Sequence, residues 1–153
     1  MRRWLTLLAT WTFVWLGGCA PALDVPPGYI QLRNPGYYDL KAASARGCVI
    51  ALKARPNEDA AADLAFWSQA VEHQKVDLDG FRLAVRESIK SNQGLDGVLF
   101  NFELGEGQGQ VMYLVGLYVT PQRIFTVEVG GATDALTGDM ENMRKAILSV
   151  RTR

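Results

Sequence analysis

The strongest constraint on the fold comes from two neighbouring apolar segments in the second half of the chain. In residues 98–104, Val98, Phe100 and Phe102 alternate with less apolar positions, which is the period of a half-buried strand. Residues 111–120 are almost entirely apolar, which is typical of a central strand that is covered on both faces. A glycine-rich loop, GEGQGQ, separates the two segments. The sequence therefore predicts a sheet whose centre is buried between two other layers.

The remaining segments supply the other strands and the covering helices. Strand patterns occupy residues 38–42, 48–53, 81–86 and 124–129, and apolar stripes at helical spacing occupy 58–74 and 136–150. In the second stripe, Thr137 or Asp139 is the expected helix cap. The element order is β-β-α-β-β-β-β-α. It predicts an α+β fold in which an antiparallel sheet of about five to six strands is covered by two amphipathic helices.

This element order resembles the PsbP-like fold, which is named for an extrinsic subunit of photosystem II. The resemblance covers approximately residues 29–150 and depends on the order and pattern of elements, not on a sequence motif. It implies a small scaffold, adaptor or assembly domain that is in most cases non-enzymatic. Because no motif is shared, no functional residue can be transferred.

The N-terminus has the pattern of an export signal. Arg2 and Arg3 precede an uncharged, mostly apolar stretch of 13 residues, which is too short to span a bilayer as a helix. The stretch ends in Leu16-Gly17-Gly18-Cys19, which resembles the lipobox of bacterial lipoproteins. That resemblance implies cleavage before Cys19 and a lipid on its sulfur. An ordinary secretory signal, a short uncleaved anchor and a twin-arginine signal are the alternatives.

These patterns divide the chain into a signal peptide over 1–18, a lipidated and proline-rich tether over 19–28, and one α+β domain over 29–153. The expected location is the cell envelope, with the domain facing the periplasm and the membrane contacted through the lipid on Cys19. Ala20 follows the cysteine, and the lipoprotein resemblance makes the outer membrane the expected destination rather than the inner membrane.

Charge and cysteine content exclude several classes of function. The mature chain would carry 14 basic and 16 acidic side chains, a formal charge of −2, so no nucleic-acid partner is expected. With Cys19 acylated, Cys48 would be the only free thiol, and its position among alternating apolar residues predicts a small buried side chain. We predict no disulfide, and stability must then come from the core.

No segment carries a convincing catalytic, cofactor or metal motif. His73 is the only histidine, and it lies near a predicted helix end without a second ligand. The Asp77-Leu78-Asp79-Gly80 segment lacks oxygen ligands at the outer positions of a calcium loop. The loop over 105–110 precedes a strand instead of the helix that a phosphate-binding loop requires. We therefore predict no metal, no cofactor and no catalytic residue.

Three functions remain open. A non-catalytic scaffold or assembly domain would bind an envelope protein. The adjacent Phe66 and Trp67 are the candidate contact residues, because neighbouring positions of a helix point about 100° apart and need not both be buried. A carrier of a small apolar ligand, such as a lipid or quinone, would need a cavity lined by Phe100, Phe102 and Tyr118. A hydrolase would need a carboxylate pair, for which Glu103 and Glu128 are the candidates.

Overall fold

A computed structural model describes residues 21–152, which form one seven-stranded sheet with helices on both faces. The strands are β1 (Tyr29–Gln31), β2 (Leu40–Ser44), β3 (Val49–Pro56), β4 (Arg82–Lys90), β5 (Asp96–Leu104), β6 (Val111–Val119) and β7 (Arg123–Ala132). The helices are α1 (Leu64–His73), which continues as a π-helical turn (Gln74–Leu78), then α2 (Thr133–Thr137) and α3 (Met140–Leu148). None of these helices is long and apolar enough to cross a bilayer.

The sheet is antiparallel throughout, with the order β1-β2-β3-β7-β6-β5-β4. Strands β4 to β7 form a meander in which each strand pairs with the next. The N-terminal strands join this meander through β3, which pairs with β7 along its whole length, from Val49 opposite Gly130 to Pro56 opposite Arg123. The α+β fold with an antiparallel sheet is thus confirmed.

Strand β6 lies at the centre of the layered fold, as its apolar sequence predicts. Leu114 and Tyr118 point to the face that carries α2 and α3, whereas Val115 and Leu117 point to the face that carries α1. All four side chains are nearly or fully buried. The strict alternation between two cores is the expected result of a strand that is covered on both sides.

The two faces of the sheet are covered to different extents. The core beneath α2 and α3 continues through β3 and β2 to Tyr29 at the start of β1. The core beneath α1 is smaller and is built on β4, β5, β6 and Ile124 of β7. On this second face β7 and β3 present Thr126, Glu128, Lys53 and Arg55, none of which is fully buried. Helix α1 therefore covers one half of its face and leaves a polar half open.

Two features of the elements differ from the sequence prediction. The sheet has seven strands instead of five to six, because the three-residue β1 pairs with β2. Helix α1 begins at Leu64 and not at Glu58, because the Asp63 side chain caps it by accepting a hydrogen bond from the Phe66 amide at 2.9 Å.

The second predicted helix is divided into α2 and α3 around Gly138. Asp139 occupies the N-cap position of α3, but its carboxylate accepts a hydrogen bond from the Asn142 side chain at 2.7 Å and makes no cap bond to the backbone. The sequence therefore predicted the position of the cap residue and not its contacts.

The end of the predicted tether is packed against the domain. Ala22 and Arg151 form an isolated antiparallel bridge, with backbone N···O distances of 3.3 and 2.8 Å. Leu23 is only 3% exposed and belongs to the larger core. The Asp24 amide donates to the Ser149 hydroxyl at 2.7 Å. Contacts with the rest of the domain therefore reach back to Ala22, which lies within the segment predicted as the tether.

Candidate functional site

The open half of the second face forms a groove between α1 and strand β3, which we call the α1 groove. Arg55 and Trp67 belong to both of its parts. The first part has a volume of about 530 Å³ and is lined by Arg55, Pro56, Glu58, Asp59, Ala61, Ala62, Phe66 and Trp67. The second part has a volume of about 360 Å³ and is lined by Tyr37, Lys53, Arg55, Trp67, Ala70, Val71, Gln74, Lys75, Val115, Thr126 and Glu128.

Trp67 is held in a fixed position at the junction of the two parts. The Arg55 guanidinium lies over its ring at 4.7 Å from the centroid, and its indole N–H donates to Asn57 Oδ1 at 3.2 Å. The Phe66 ring meets it edge-on at a centroid distance of 5.3 Å and is 55% exposed. An immobilised aromatic pair next to a cation is the composition typical of a protein-binding hot spot.

Asn57 connects the elements that form the first part of the groove. It is buried, and its Nδ2 donates to the Ala62 carbonyl at 3.0 Å and to the Thr120 carbonyl at 3.1 Å. Together with the bond from Trp67, these contacts join the end of β3, the approach to α1 and the β6–β7 turn. The sequence alone gives no sign of this role, because the partners of Asn57 are distant in the chain.

The second part of the groove contains one carboxylate with two tyrosine donors. Tyr113 and Tyr38 both donate to Glu128 Oε2, at 2.6 and 2.9 Å. Burial is the main cause that raises the pKa of Tyr38 from 10.0 to about 12, and the charge and hydrogen bond of Glu128 add to it. Burial and the hydrogen bond to Glu128 also raise the pKa of Tyr113. Both hydroxyls therefore remain protonated donors at neutral pH.

Three cations, Lys53, Arg55 and Lys75, line the same part of the groove as this carboxylate. The Lys53 ammonium lies 4.0 Å from the Tyr37 ring centroid and donates to the Tyr37 carbonyl at 2.5 Å. Lys75 lies 4.6 Å from the Tyr113 ring centroid and pairs with Asp79 at 3.0 Å. Within residues 21–152, neither Lys53 nor Arg55 has a carboxylate oxygen within 4.0 Å. The second part of the groove thus combines aromatic surfaces with three cations and one carboxylate, whereas in the first part Arg55 is accompanied by Glu58 and Asp59.

The residues predicted for a ligand cavity do not share one. Phe100 and Phe102 stack on each other beneath α1 at a centroid distance of 5.6 Å, whereas Tyr118 lies on the opposite face and donates to the Ile147 carbonyl at 2.9 Å. All three are fully buried, and none lines either part of the α1 groove. The cavity that a ligand carrier would need between these three side chains is therefore not formed, because the sheet separates Tyr118 from Phe100 and Phe102.

The predicted carboxylate pair is also wrong. Glu128 faces α1, because it neighbours Val115 in the sheet register, whereas Glu103 neighbours Met112 and faces the other side. Glu103 accepts hydrogen bonds from Arg82 and from Gln110 instead. The two carboxylates lie on opposite faces of the sheet and cannot act on one substrate.

The remaining candidate residues have local roles. His73 Nδ1 lies 2.7 Å from Asp77 on an exposed helix turn. Cys48 is 2% exposed, which confirms the predicted buried position. In the part of the chain that the structure describes, no cluster of three metal-ligating side chains occurs. The lipobox residues Leu16, Gly17, Gly18 and Cys19 lie outside the described residues, so the lipidation site stays a prediction.

Of the candidate residues named from sequence, the structure places Phe66, Trp67 and Glu128 in the groove, the last without its candidate partner Glu103. Lys53, Arg55 and Tyr38 were not predicted as site residues. The i, i+2 spacing of Lys53 and Arg55 on a strand was the one local sign that both face the same side.

Comparison with known proteins identifies the fold and no family. No protein-family model matches the chain, and no curated protein sequence matches it. Among solved structures, it is similar to LpqN of Mycobacterium tuberculosis, described as involved in cell envelope biogenesis, with 12% identity, a TM-score of 0.67 and coverage of 85% of this chain and 81% of LpqN.

Two further solved structures share the fold. Cyanobacterial PsbP from Synechocystis has 10% identity and a TM-score of 0.56 over 88% of this chain and 87% of its own. A Pseudomonas aeruginosa protein of unknown function has 16% identity and a TM-score of 0.51 over 86% of this chain and 87% of its own. The PsbP-like fold expected from the element order is thus supported, and identities this low show the fold alone.

Proposed function

We propose that this chain is a lipid-anchored protein of the cell envelope whose domain works by binding a protein partner in the α1 groove, without catalysis. The lipobox pattern ending in Cys19 supports the anchor. The exposed Phe66 ring beside Trp67 in the groove supports the binding role. The shared fold with LpqN, a protein described as involved in cell envelope biogenesis, supports the same location.

The observation that carries the binding proposal is the exposure of Phe66 beside an immobilised Trp67. A phenyl ring that is 55% exposed leaves apolar area in water, and burial of that area would contribute on the order of 1–2 kcal/mol to association. Arg55 and Asn57 hold Trp67 in place before any partner arrives. The ordering cost at binding is therefore low, which is the usual property of an interface anchor.

The test compares Phe66→Ala with Leu78→Ala, a matched control because Leu78 is 64% exposed and lies outside the groove. Each full-length variant is crosslinked in its native membrane, and the adducts are identified by mass spectrometry. We expect Phe66→Ala to remove a specific adduct and Leu78→Ala to retain it. A specific adduct that is still formed by the double variant Phe66→Ala, Arg55→Glu would contradict binding at this groove.

The anchor is tested independently of the groove. Native mass spectrometry of the protein extracted in mild detergent should give a mass that begins at Cys19 and includes acyl chains. Cys19→Ser should release the domain from the membrane fraction. Density separation of the two membranes then tests the proposal that the outer membrane is the destination. A protein without acyl chains would contradict the lipid anchor.

A small amphiphile is the second candidate for the groove, and the division of its lining favours it. The first part offers Pro56, Ala61, Ala62 and Phe66 together with the charged Arg55, Glu58 and Asp59. The second part offers the cations Lys53, Arg55 and Lys75 against one carboxylate, Glu128. A ligand with an apolar body and an anionic group matches that division. The native mass spectrum distinguishes the candidates, because a retained small molecule that Lys53→Glu removes would favour the carrier.

A further inference from the structure

The N-terminal residues of the domain are fastened at one end of the sheet. Ala22 pairs with Arg151, and the Arg151 guanidinium bonds to Asp24 at 2.6 Å. The segment after α3 contacts the β4–β5 turn, because the Asn92 amide donates to the Leu148 carbonyl at 2.7 Å and the Thr152 amide donates to Gln93 at 3.3 Å. The chain therefore enters the domain beside the β4–β5 turn.

The same end of the sheet carries the β6–β7 turn and the start of α1. Gly97 at the start of β5 pairs with Tyr118 near the end of β6, and Arg123 at the start of β7 pairs with Pro56 at the end of β3. Asn57 then bonds to Thr120 and Trp67. We call this end, with the turns over 91–95 and 120–122, the anchored end. The loop over 105–110 lies at the opposite end.

From this geometry we infer that the anchored end of the domain lies against the lipid surface, so that the strands stand away from the membrane. The inference rests on the proposed lipid at Cys19. Only three residue steps separate Cys19 from Ala22, and a fully extended chain covers at most about 11 Å in three steps. Strands β5 and β6 have nine residues each, so their far ends lie about 27 Å beyond the anchored end.

The covalent link imposes this orientation, and charge does not. At the anchored end Lys90 pairs with Asp96 and Arg151 pairs with Asp24. Arg55 and Arg123 are accompanied there by Glu58 and Asp59. Without a basic excess, attraction to anionic lipids is weak. The orientation should therefore persist at high ionic strength, where exposed charges are screened.

This orientation determines where the α1 groove opens. Arg55, Phe66 and Trp67 belong to the half of the domain that contains the anchored end, because Asn57 ties them to the β6–β7 turn. The second part of the groove, with Lys53 and Glu128, extends along β3 and β7 away from that end. The occupant would enter from beside the bilayer, which fits a membrane-bound partner.

The experiment measures energy transfer from three labelled positions to an acceptor on the lipid headgroups. The acylated protein is reconstituted in phosphatidylcholine vesicles after labelling of Gln93→Cys, Gln122→Cys or Glu106→Cys, all of which are exposed sites. Cys48 is 2% exposed and is protected from the label. We expect high transfer from positions 93 and 122 and low transfer from position 106. The distances of the two ends from the lipid surface should differ by up to about 27 Å.

A lengthened tether is the matched control. Ten Gly and Ser residues inserted after Ala20 would add a coil with an end-to-end distance of about 17 Å. The difference in energy transfer between the two ends of the domain should then become small. Equal transfer from the three positions of the acylated, unmodified tether would overturn the inference, and so would a difference that disappears in 1 M salt. A preparation whose mass shows no acyl chains would overturn the proposed lipid anchor as well as the orientation. The mass measurement therefore distinguishes a failure of the anchor from a failure of the orientation alone.

Discussion

A β-carbon placed on Gly116 would lie 2.5 Å from Ile147 Cγ2. The Ile147 side chain of α3 therefore packs directly on the β6 backbone at Gly116, where no side chain intervenes. Ile147 is fully buried, and the Tyr118 hydroxyl donates to its carbonyl at 2.9 Å. Ile147 is therefore held at two points. Its methyl group packs against the β6 backbone, and its carbonyl accepts the hydrogen bond from Tyr118. This contact fixes the distance between helix and sheet.

Gly116→Ala should destabilise the domain, because the stiff β-branched Ile147 side chain cannot move away cheaply. We expect a loss of about 1–3 kcal/mol in the free energy of unfolding, measured by denaturant titration. Gly109→Ala is the control, since no atom lies within 4 Å of its added methyl group. Equal stability of the two variants would contradict the tight contact.

Asn57→Ala should destabilise the domain and loosen the first part of the groove. The substitution leaves the indole N–H of Trp67 and the carbonyls of Ala62 and Thr120 without their partner. A loss on the order of 3 kcal/mol in the free energy of unfolding is expected for these groups together. Asn92→Ala is the control because Asn92 is exposed and bonds through its backbone amide. Similar losses in both variants would argue against the role of Asn57.

Stability should decrease at alkaline pH as the tyrosines that donate to Glu128 ionise. Folding raises the pKa of Tyr38 from 10.0 to about 12, so the folded state holds its proton more tightly than the unfolded state. That contribution is complete below pH 10 and is lost as pH rises towards 12 and beyond. Chemical denaturation across this range measures the loss.

The Glu128 contribution to this shift can be isolated by NMR titration of labelled tyrosine rings. Glu128→Gln removes the neighbouring charge, so the pKa of Tyr38 should fall but stay above 10.0, because burial is the larger cause. Glu103→Gln is the control, because Glu103 lies on the opposite face of the sheet. A Tyr38 titration that Glu128→Gln leaves unchanged would refute the assignment.

Arg55→Ala should expose Trp67, which is the only tryptophan among residues 21–152 and therefore an internal reporter. Loss of the stacked guanidinium at 4.7 Å removes a contact of about 0.5–1 kcal/mol and admits water to the ring. The fluorescence emission should shift to longer wavelength. The exposed Arg33→Ala serves as control, and a matching shift there would argue against the stacking.

The sequence predicts the central elements of this fold well, for a physical reason. Strand β6 lies between two cores, so its side chains are buried on both faces of the sheet. Its nearly continuous apolar sequence is the direct consequence of that burial. Helix α3 and Cys48 are predicted for the same reason, since their burial leaves a periodic pattern. In contrast, β1 has three residues, and its Ile30 is 76% exposed, so no pattern marks it.

The α1 groove is only partly predictable, because tertiary contacts assemble it. Phe66 and Trp67 are recognisable as adjacent helical aromatics that point about 100° apart and need not both be buried. Glu128 and Lys53 become neighbours of α1 only through the register of β3 with β7, which aligns residues more than 70 positions apart. Local patterns carry no information on that register, so the sequence named Glu128 only as a candidate partner of Glu103.

The pairing of β3 with β7 also determines the order in which the protein can fold. The meander from β4 to β7 uses contacts between consecutive strands and closes early, whereas β3 must wait until β7 has emerged. A chain that crosses a membrane from its N-terminus therefore exposes β3 as an unpaired edge during most of its transit. Protection of that edge by a chaperone would be needed at this stage, before any partner of the finished domain is bound.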